Sequence, residues 1–86
     1  MRDLQFDNRA FEELREWAAE NPKMLQRILR MIEEAQRTPF NGIGKPEPLK
    51  GDFKGYWSRR INDEDRLIYK VNDDFIIIRS MKEHYK

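Results

Sequence analysis

Residues 56–81 read YWSRRINDEDRLIYKVNDDFIIIRSM, and they decide the architecture. Three runs rich in aromatic and β-branched residues, GYWSRRI (55–61), RLIYKV (66–71) and FIIIRSM (75–81), are separated by NDED and NDD. Asn and Asp side chains bond to nearby backbone and favour turns, so the runs read as strands and the separators as their connections. Such short connections join antiparallel neighbours, because a parallel crossover needs a dozen or more residues. The spacing predicts a three-stranded meander.

Upstream, the apolar period changes to that of a helix. DNRAFEELREWAAE (7–20) offers Asp7 or Asn8 as N-cap and repeats Ala10, Phe11, Leu14, Trp17 and Ala18 at helical spacing. Asn21-Pro22 is a stop-and-restart signal, with asparagine as cap and proline at the first helical position. Met24, Leu25, Ile28, Leu29, Met31, Ile32 and Ala35 then form a broad stripe up to Arg37, and Thr38-Pro39 ends it. At the N-terminus, RDLQF (2–6) alternates, with Leu4 and Phe6 on one face of a short strand. The predicted fold class is α+β. An N-terminal strand precedes a two-helix hairpin, which covers one face of a small, mainly antiparallel sheet and leaves the other open.

The chain has 86 residues, which predicts one domain over 1–86 with modest stability. No cysteine is present, which excludes a disulfide framework and a thiol nucleophile. The longest aliphatic run lies in Phe75–Ile78, too short for a membrane span, and MRDLQFDNRA lacks the apolar stretch of a secretory signal. The expectation is a cytoplasmic protein with no membrane contact. Net charge is only +1, so bulk charge does not announce a nucleic-acid binder. Any such surface must come from local clustering.

Parity supplies one. Successive strand residues point to opposite sides. Trp57 and Ile61, with Leu67, Tyr69 and Val71, are the apolar sets and belong against the helices. Arg60 and Arg66 then share the open face as near cross-strand neighbours, while Arg59 faces the core side and is expected to snorkel. Opposed arginines repel unless an anion sits between them. The plain alternative is local neutralisation by Asp63, Glu64 or Asp65.

Two further residues carry chemistry. GIGKPEPLKG (42–51) opens on two glycines and brackets Glu47 between two prolines, with Lys45 and Lys50 on either side. A loop glutamate is ordinarily just solvated, but prolines restrict the backbone and lower the entropy lost on ordering. His84, the only histidine, stands between Glu83 and Tyr85 in the tail, where a side chain is usually just exposed. Docking of the last strand beside the meander would bring it over the arginine face.

One histidine and no cysteine argue against a metal site. Ser58 and Ser80 lack a nucleophile-elbow setting, and GIGKPEP does not run into a helix as a phosphate loop would. No cofactor is expected. One carboxylate, one imidazole and fixed cations do suit RNA cleavage, in which the 2′-hydroxyl is an internal nucleophile. The enzyme must remove that proton, protonate the departing 5′-oxygen and stabilise phosphoryl charge.

TPFNGIGKPEPLK, WSRRI, EDRLIY and the closing HY together resemble the YoeB/Txe family of bacterial toxins, within the RelE/ParE superfamily, over essentially the whole chain. The resemblance implies a RelE-like microbial ribonuclease fold. It also implies a ribosome-dependent mRNA endonuclease of a type II toxin–antitoxin system, cutting in the A site without metal. It assigns Glu47 as general base, His84 as general acid, Arg60 and Arg66 to the phosphoryl charge, Lys50 to the phosphate and Tyr85 to substrate positioning. The implied partners are a partly disordered antitoxin of the YefM/Axe kind, the 70S ribosome and its mRNA, with a homodimer also possible. Glu83, where an uncharged residue is common, and the extra Lys86 depart from the family pattern. From another class, a non-enzymatic poison of a target such as DNA gyrase, as in the ParE branch, needs no acid–base pair. A plain RNA-binding module needs none either.

Overall fold

The computed structural model of the chain describes residues 1–83. In chain order it forms β1 (Asp3–Phe6), α1 (Asn8–Glu20), α2 (Pro22–Arg37), β2 (Glu47–Pro48), a 3₁₀ turn (Gly51–Phe53), β3 (Tyr56–Arg60), β4 (Arg66–Val71) and β5 (Phe75–Glu83). The strands make one sheet in the order β1-β5-β4-β3-β2. The expected meander β3-β4-β5 is its centre. β1 adds to it in parallel, with Leu4 opposite Ile76 and Phe6 opposite Ile78. β2 adds antiparallel at the other edge, which the sequence did not announce. Two residues with prolines beside and within them make a poor template for further pairing, so this edge is blunted.

The helix boundaries follow from local chemistry. Asn21 closes α1 by donating its N–H to Trp17 O and opens α2 by accepting from Met24 N–H at 3.1 Å, with Pro22 first in the new helix. Ala10, Trp17, Ile28, Met31, Ile32 and Ala35 meet Ile61, Leu67, Tyr69, Ile76, Ile78 and Met81 of the sheet side to form the core. Two residues of the predicted α1 stripe are corrected. Phe11 is 54% exposed and Ala18 is also exposed, because both lie on the flank of a narrower stripe running through Ala10, Leu14 and Trp17. The residue that shares the buried face is Glu13, 8% exposed.

Glu13 has a task there. The β4–β5 ladder slips by one residue between Tyr69↔Ile78 and Ile68↔Ser80, and again before Arg66↔Glu83, so β5 carries two extra residues. The core residues of β5 are therefore Ile76, Ile78 and Met81, spaced by two and then three. α1 takes up both backbone groups of Met81: Glu13 Oε1 accepts its N–H at 2.6 Å, and Trp17 Nε1–H donates to its carbonyl at 2.9 Å.

The far side of the sheet is less bare than predicted. Ile68 (1% exposed), Ser58 and Ser80 are buried there, with Leu49 buried outside the helix-facing core. Among the described residues, no helix is long and apolar enough to cross a membrane.

Candidate active site

The segment before β2 is shaped by backbone geometry. Gly42, Gly44 and Lys45 have φ of 122°, 82° and 52°. Gly44 has no room for a side chain: a Cβ would stand 2.9 Å from Arg60 O and 2.7 Å from Met31 Cε, while its own carbonyl accepts Arg60 N–H at 2.6 Å. Lys45 adopts the left-handed region immediately before a proline, at a cost of about 1–3 kcal/mol that the surrounding bonds must hold in place. Glu47 then lies opposite Ser58 and Pro48 opposite Trp57, and Leu49 N–H donates to Tyr56 O at 2.9 Å. The acid is braced against β3 yet exposed.

Arg59 anchors the preceding loop, and here the snorkelling expectation is overturned. Its side chain is fully buried, and all five guanidinium N–H groups have acceptors. Nε donates to Tyr69 Oη at 3.0 Å, Nη1 to Glu34 Oε1 at 2.6 Å and Ile43 O at 3.2 Å, and Nη2 to Thr38 O at 2.9 Å and Asn41 O at 3.1 Å. Glu34 also accepts Ile43 N–H at 2.8 Å. The Arg59 hydrogen bond, with that of Ile43, holds the Glu34 carboxyl below the usual glutamate range. Burial pushes the Tyr69 phenol up, so it stays a neutral donor, here to Pro39 O at 2.6 Å. Curled over a buried cation, carbonyls of residues 38–43 do for Arg59 what water would have done.

Arg60 and Arg66 are direct partners across β3 and β4, as parity predicted. Arg66 Nη1 donates to Asn62 O at 2.9 Å and Asp65 O at 3.1 Å, while Arg60 is exposed. Among the described residues neither has a carboxylate within 4.0 Å. The NDED acids do not neutralise them: Asp65 Oδ2 instead accepts from Asn62 Nδ2, and Asp63 and Glu64 are exposed. Pairing places Glu47 and Ser58 in one row across the sheet, and Arg60 and Arg66 in the neighbouring row on the same face. Lys50 is exposed at the start of the 3₁₀ turn. His84 and Tyr85 lie outside the described residues.

A model of the YoeB-like toxin of bacterial type II toxin–antitoxin systems matches residues 6–85. The chain belongs to this YoeB-like toxin family. It is 51% identical over 85 residues to a toxin YoeB of Mycobacterium bovis, covering 99% of this chain and 100% of that one. The YoeB/ParE toxin from Agrobacterium tumefaciens superposes with a TM-score of 0.92 at 39% identity, over 96% of this chain and 99% of that one. The YoeB-YefM complex from Staphylococcus aureus superposes at 0.88 with 42% identity, over 99% of each chain. YafQ from Escherichia coli, at 19% identity and a TM-score of 0.71, shares the fold alone.

Beside the positions this YoeB-like sequence suggested, the structure shows a cluster that it did not. Arg79 Cζ lies 5.1 Å from the Phe53 ring centroid and 5.6 Å from that of Tyr56, on the arginine side of the sheet. The register of β5 hid it. The turn before β5 does not fix that strand's register from sequence, so Arg79 could not be assigned to this face, although the aromatic pair in GDFKGY was visible.

Proposed function

We propose that this YoeB-like chain is the toxin of a type II toxin–antitoxin pair and acts as a ribosome-dependent endoribonuclease. It cuts mRNA in the A site through the 2′-hydroxyl, without metal, and so stops translation. Glu47 takes the 2′-hydroxyl proton as the 2′-oxygen attacks phosphorus. The bond from phosphorus to the 5′-oxygen breaks, and His84 donates a proton to that oxygen. The products are a 2′,3′-cyclic phosphate and a 5′-hydroxyl. Arg60 and Arg66 stabilise the charge that grows on the phosphoryl oxygens, Lys50 contacts the phosphate and Tyr85 positions the nucleotide.

One observation carries this: two directly opposed arginines, on the face away from the helices and one row from Glu47, with no carboxylate in reach among the described residues. Like charges opposed across a ladder are destabilising, and an anion between them relieves the cost. The strained, glycine-dependent approach to Glu47 adds to it, since such strain collects where a site is pre-organised.

Relatives from Staphylococcus aureus are solved as a YoeB-YefM complex and as a YoeB dimer. By that likeness the natural partner is an antitoxin of the YefM/Axe kind, disordered in part until bound, and a homodimer is the expected free form. The setting is the bacterial cytoplasm, where ribosomes and mRNA are at hand.

Glu47→Gln and His84→Gln, each added to a translating extract, are expected to lower cleavage by at least about a hundredfold while the proteins stay folded. Mapping of mRNA 5′ ends reads the outcome. Wild-type cutting by either variant removes that residue from its role. Growth arrest that survives loss of both would instead mark a non-enzymatic poison.

A further inference from the structure

Among the described residues four cations sit against aromatic rings, and two of them, Lys70 and Arg79, meet at Tyr56 with no carboxylate paired to either. Arg59 lies against Tyr69 and pairs with Glu34. Lys82 lies 5.3 Å from the Trp17 ring and pairs with Glu16 at 3.2 Å and Glu20 at 2.8 Å. Arg79 lies against both Phe53 and Tyr56, yet among the described residues it has no carboxylate partner. Its Nε is buried and has no hydrogen-bond acceptor there either. Among the described residues, ring faces are what lies against its charge.

The surroundings add to this. Phe53 and Tyr56 meet edge to face, with centroids 6.1 Å apart and planes at 82°. Lys70, paired with Tyr56 across β3 and β4, places its Nζ 5.7 Å from the tyrosine ring. Phe53, Tyr56 and Arg79 are each half-buried. The cluster is thus a partly covered corner of two rings set edge to face with a guanidinium against both, excess in positive charge. Tyr56 stands two residues before Ser58 on β3, and Ser58 faces Glu47, so the surface is about 7 Å along the strand from the acid's row.

We propose that Phe53, Tyr56 and Arg79 form a stacking platform for one unpaired base of the RNA, the base next to the scissile phosphate. This rests on RNA being the substrate, as proposed above. Unstacked bases are held by aromatic rings and guanidinium planes, a mode that tolerates any base because each has a π-face. Packing alone would serve Arg79 poorly, because a cation with no acid and a buried Nε without an acceptor among the described residues gains less than Lys82 does on its own ring.

The test uses single-stranded RNA hexamers, 2′-O-methylated so that they cannot be cut, with 2-aminopurine at each position in turn. Wild-type protein is expected to quench the fluorescence strongly at one position and little at the others. Tyr56→Leu and Arg79→Gln are each expected to weaken that binding about tenfold. Tyr56→Phe keeps the ring and the quench, and Arg79→Lys does not restore wild-type binding, because an ammonium has no plane to stack. Thermal midpoints of the variants check that each is folded. The platform is overturned if no position is quenched, or if the Leu and Gln variants quench like wild type. Cleavage on ribosomes is scored separately. Cutting without a platform signal sinks this proposal and leaves the nuclease, whereas a platform signal without cutting sinks the nuclease and leaves an RNA-binding surface.

Discussion

Arg59 shows how a single charge can be the keystone of a loop. A buried guanidinium costs several kcal/mol to desolvate, and that cost is met only because Glu34, Tyr69 and three backbone carbonyls accept from it together. Arg59→Met keeps the volume but leaves those acceptors without their donor. The expected loss is about 3–5 kcal/mol, read as a fall in the urea midpoint. A pH dependence travels with it. The folded carboxyl of Glu34 titrates below its unfolded value, so its stabilisation is complete above the ordinary glutamate pKa of about 4.3 and disappears as pH falls through the lower, folded value. Wild type should therefore lose stability on acidification below about pH 4, and Arg59→Met should show a shallower slope over that range. Equal slopes in the two proteins would mean that Glu34 is not held by Arg59. Parity had Arg59 on the correct side of its strand; what it lacked was the loop that would come to meet it. Nothing in the alternation of YWSRR says that the carbonyls of Thr38, Asn41 and Ile43 will curl over its side chain.

Among the elements, those whose ends are set by local chemistry were legible and those set by tertiary contacts were not. Asn21-Pro22 defines the break between α1 and α2 because the cap and the proline act within four residues. β4 is bounded by turn residues at both ends and matches its run in the sequence, RLIYKV. β5 runs two residues past its apolar stretch, and β2 was not visible at all, since two residues acquire strand geometry only by pairing with β3. The same limit hid Glu13, a polar residue on an apolar stripe whose reason is a slipped ladder on another element. Its role can be separated from simple burial. Glu13→Leu fills the space but leaves Met81 N–H buried without its acceptor, a loss of about 1–3 kcal/mol, whereas Glu13→Gln retains an oxygen for it. Hydrogen exchange at the Met81 amide should quicken markedly in the leucine variant and little in the glutamine one. Identical protection in both would mean that the ladder, not α1, holds the end of β5. That end matters to the proposed site, because β5 leads directly into His84 and its final described residue is paired with Arg66.

The two faces of the sheet divide the labour. One is spent on the core against α1 and α2, which for a chain of 86 residues leaves little apolar area for anything else. The other holds a small apolar patch at Ile68 and Leu49, with Arg60, Arg66, Lys70 and Arg79 on the strands around it and Lys50 and Lys54 nearby. A net charge of +1 conceals this, because the acids that balance the sum lie largely on the helices and in the turns. Association with RNA should then behave as if the protein were far more basic than its composition suggests. If four of these cations each displace one counterion from single-stranded RNA, the logarithm of affinity falls against the logarithm of salt concentration with a slope of about −3. Removing one charge, as in Arg60→Gln, should make the slope shallower by about 0.7 whatever the RNA sequence. Titrations of the uncleavable hexamer at several potassium chloride concentrations give both numbers. A slope near zero would show that the strand does not lie across the arginine face, and it would do so even if a base were found to stack beside it.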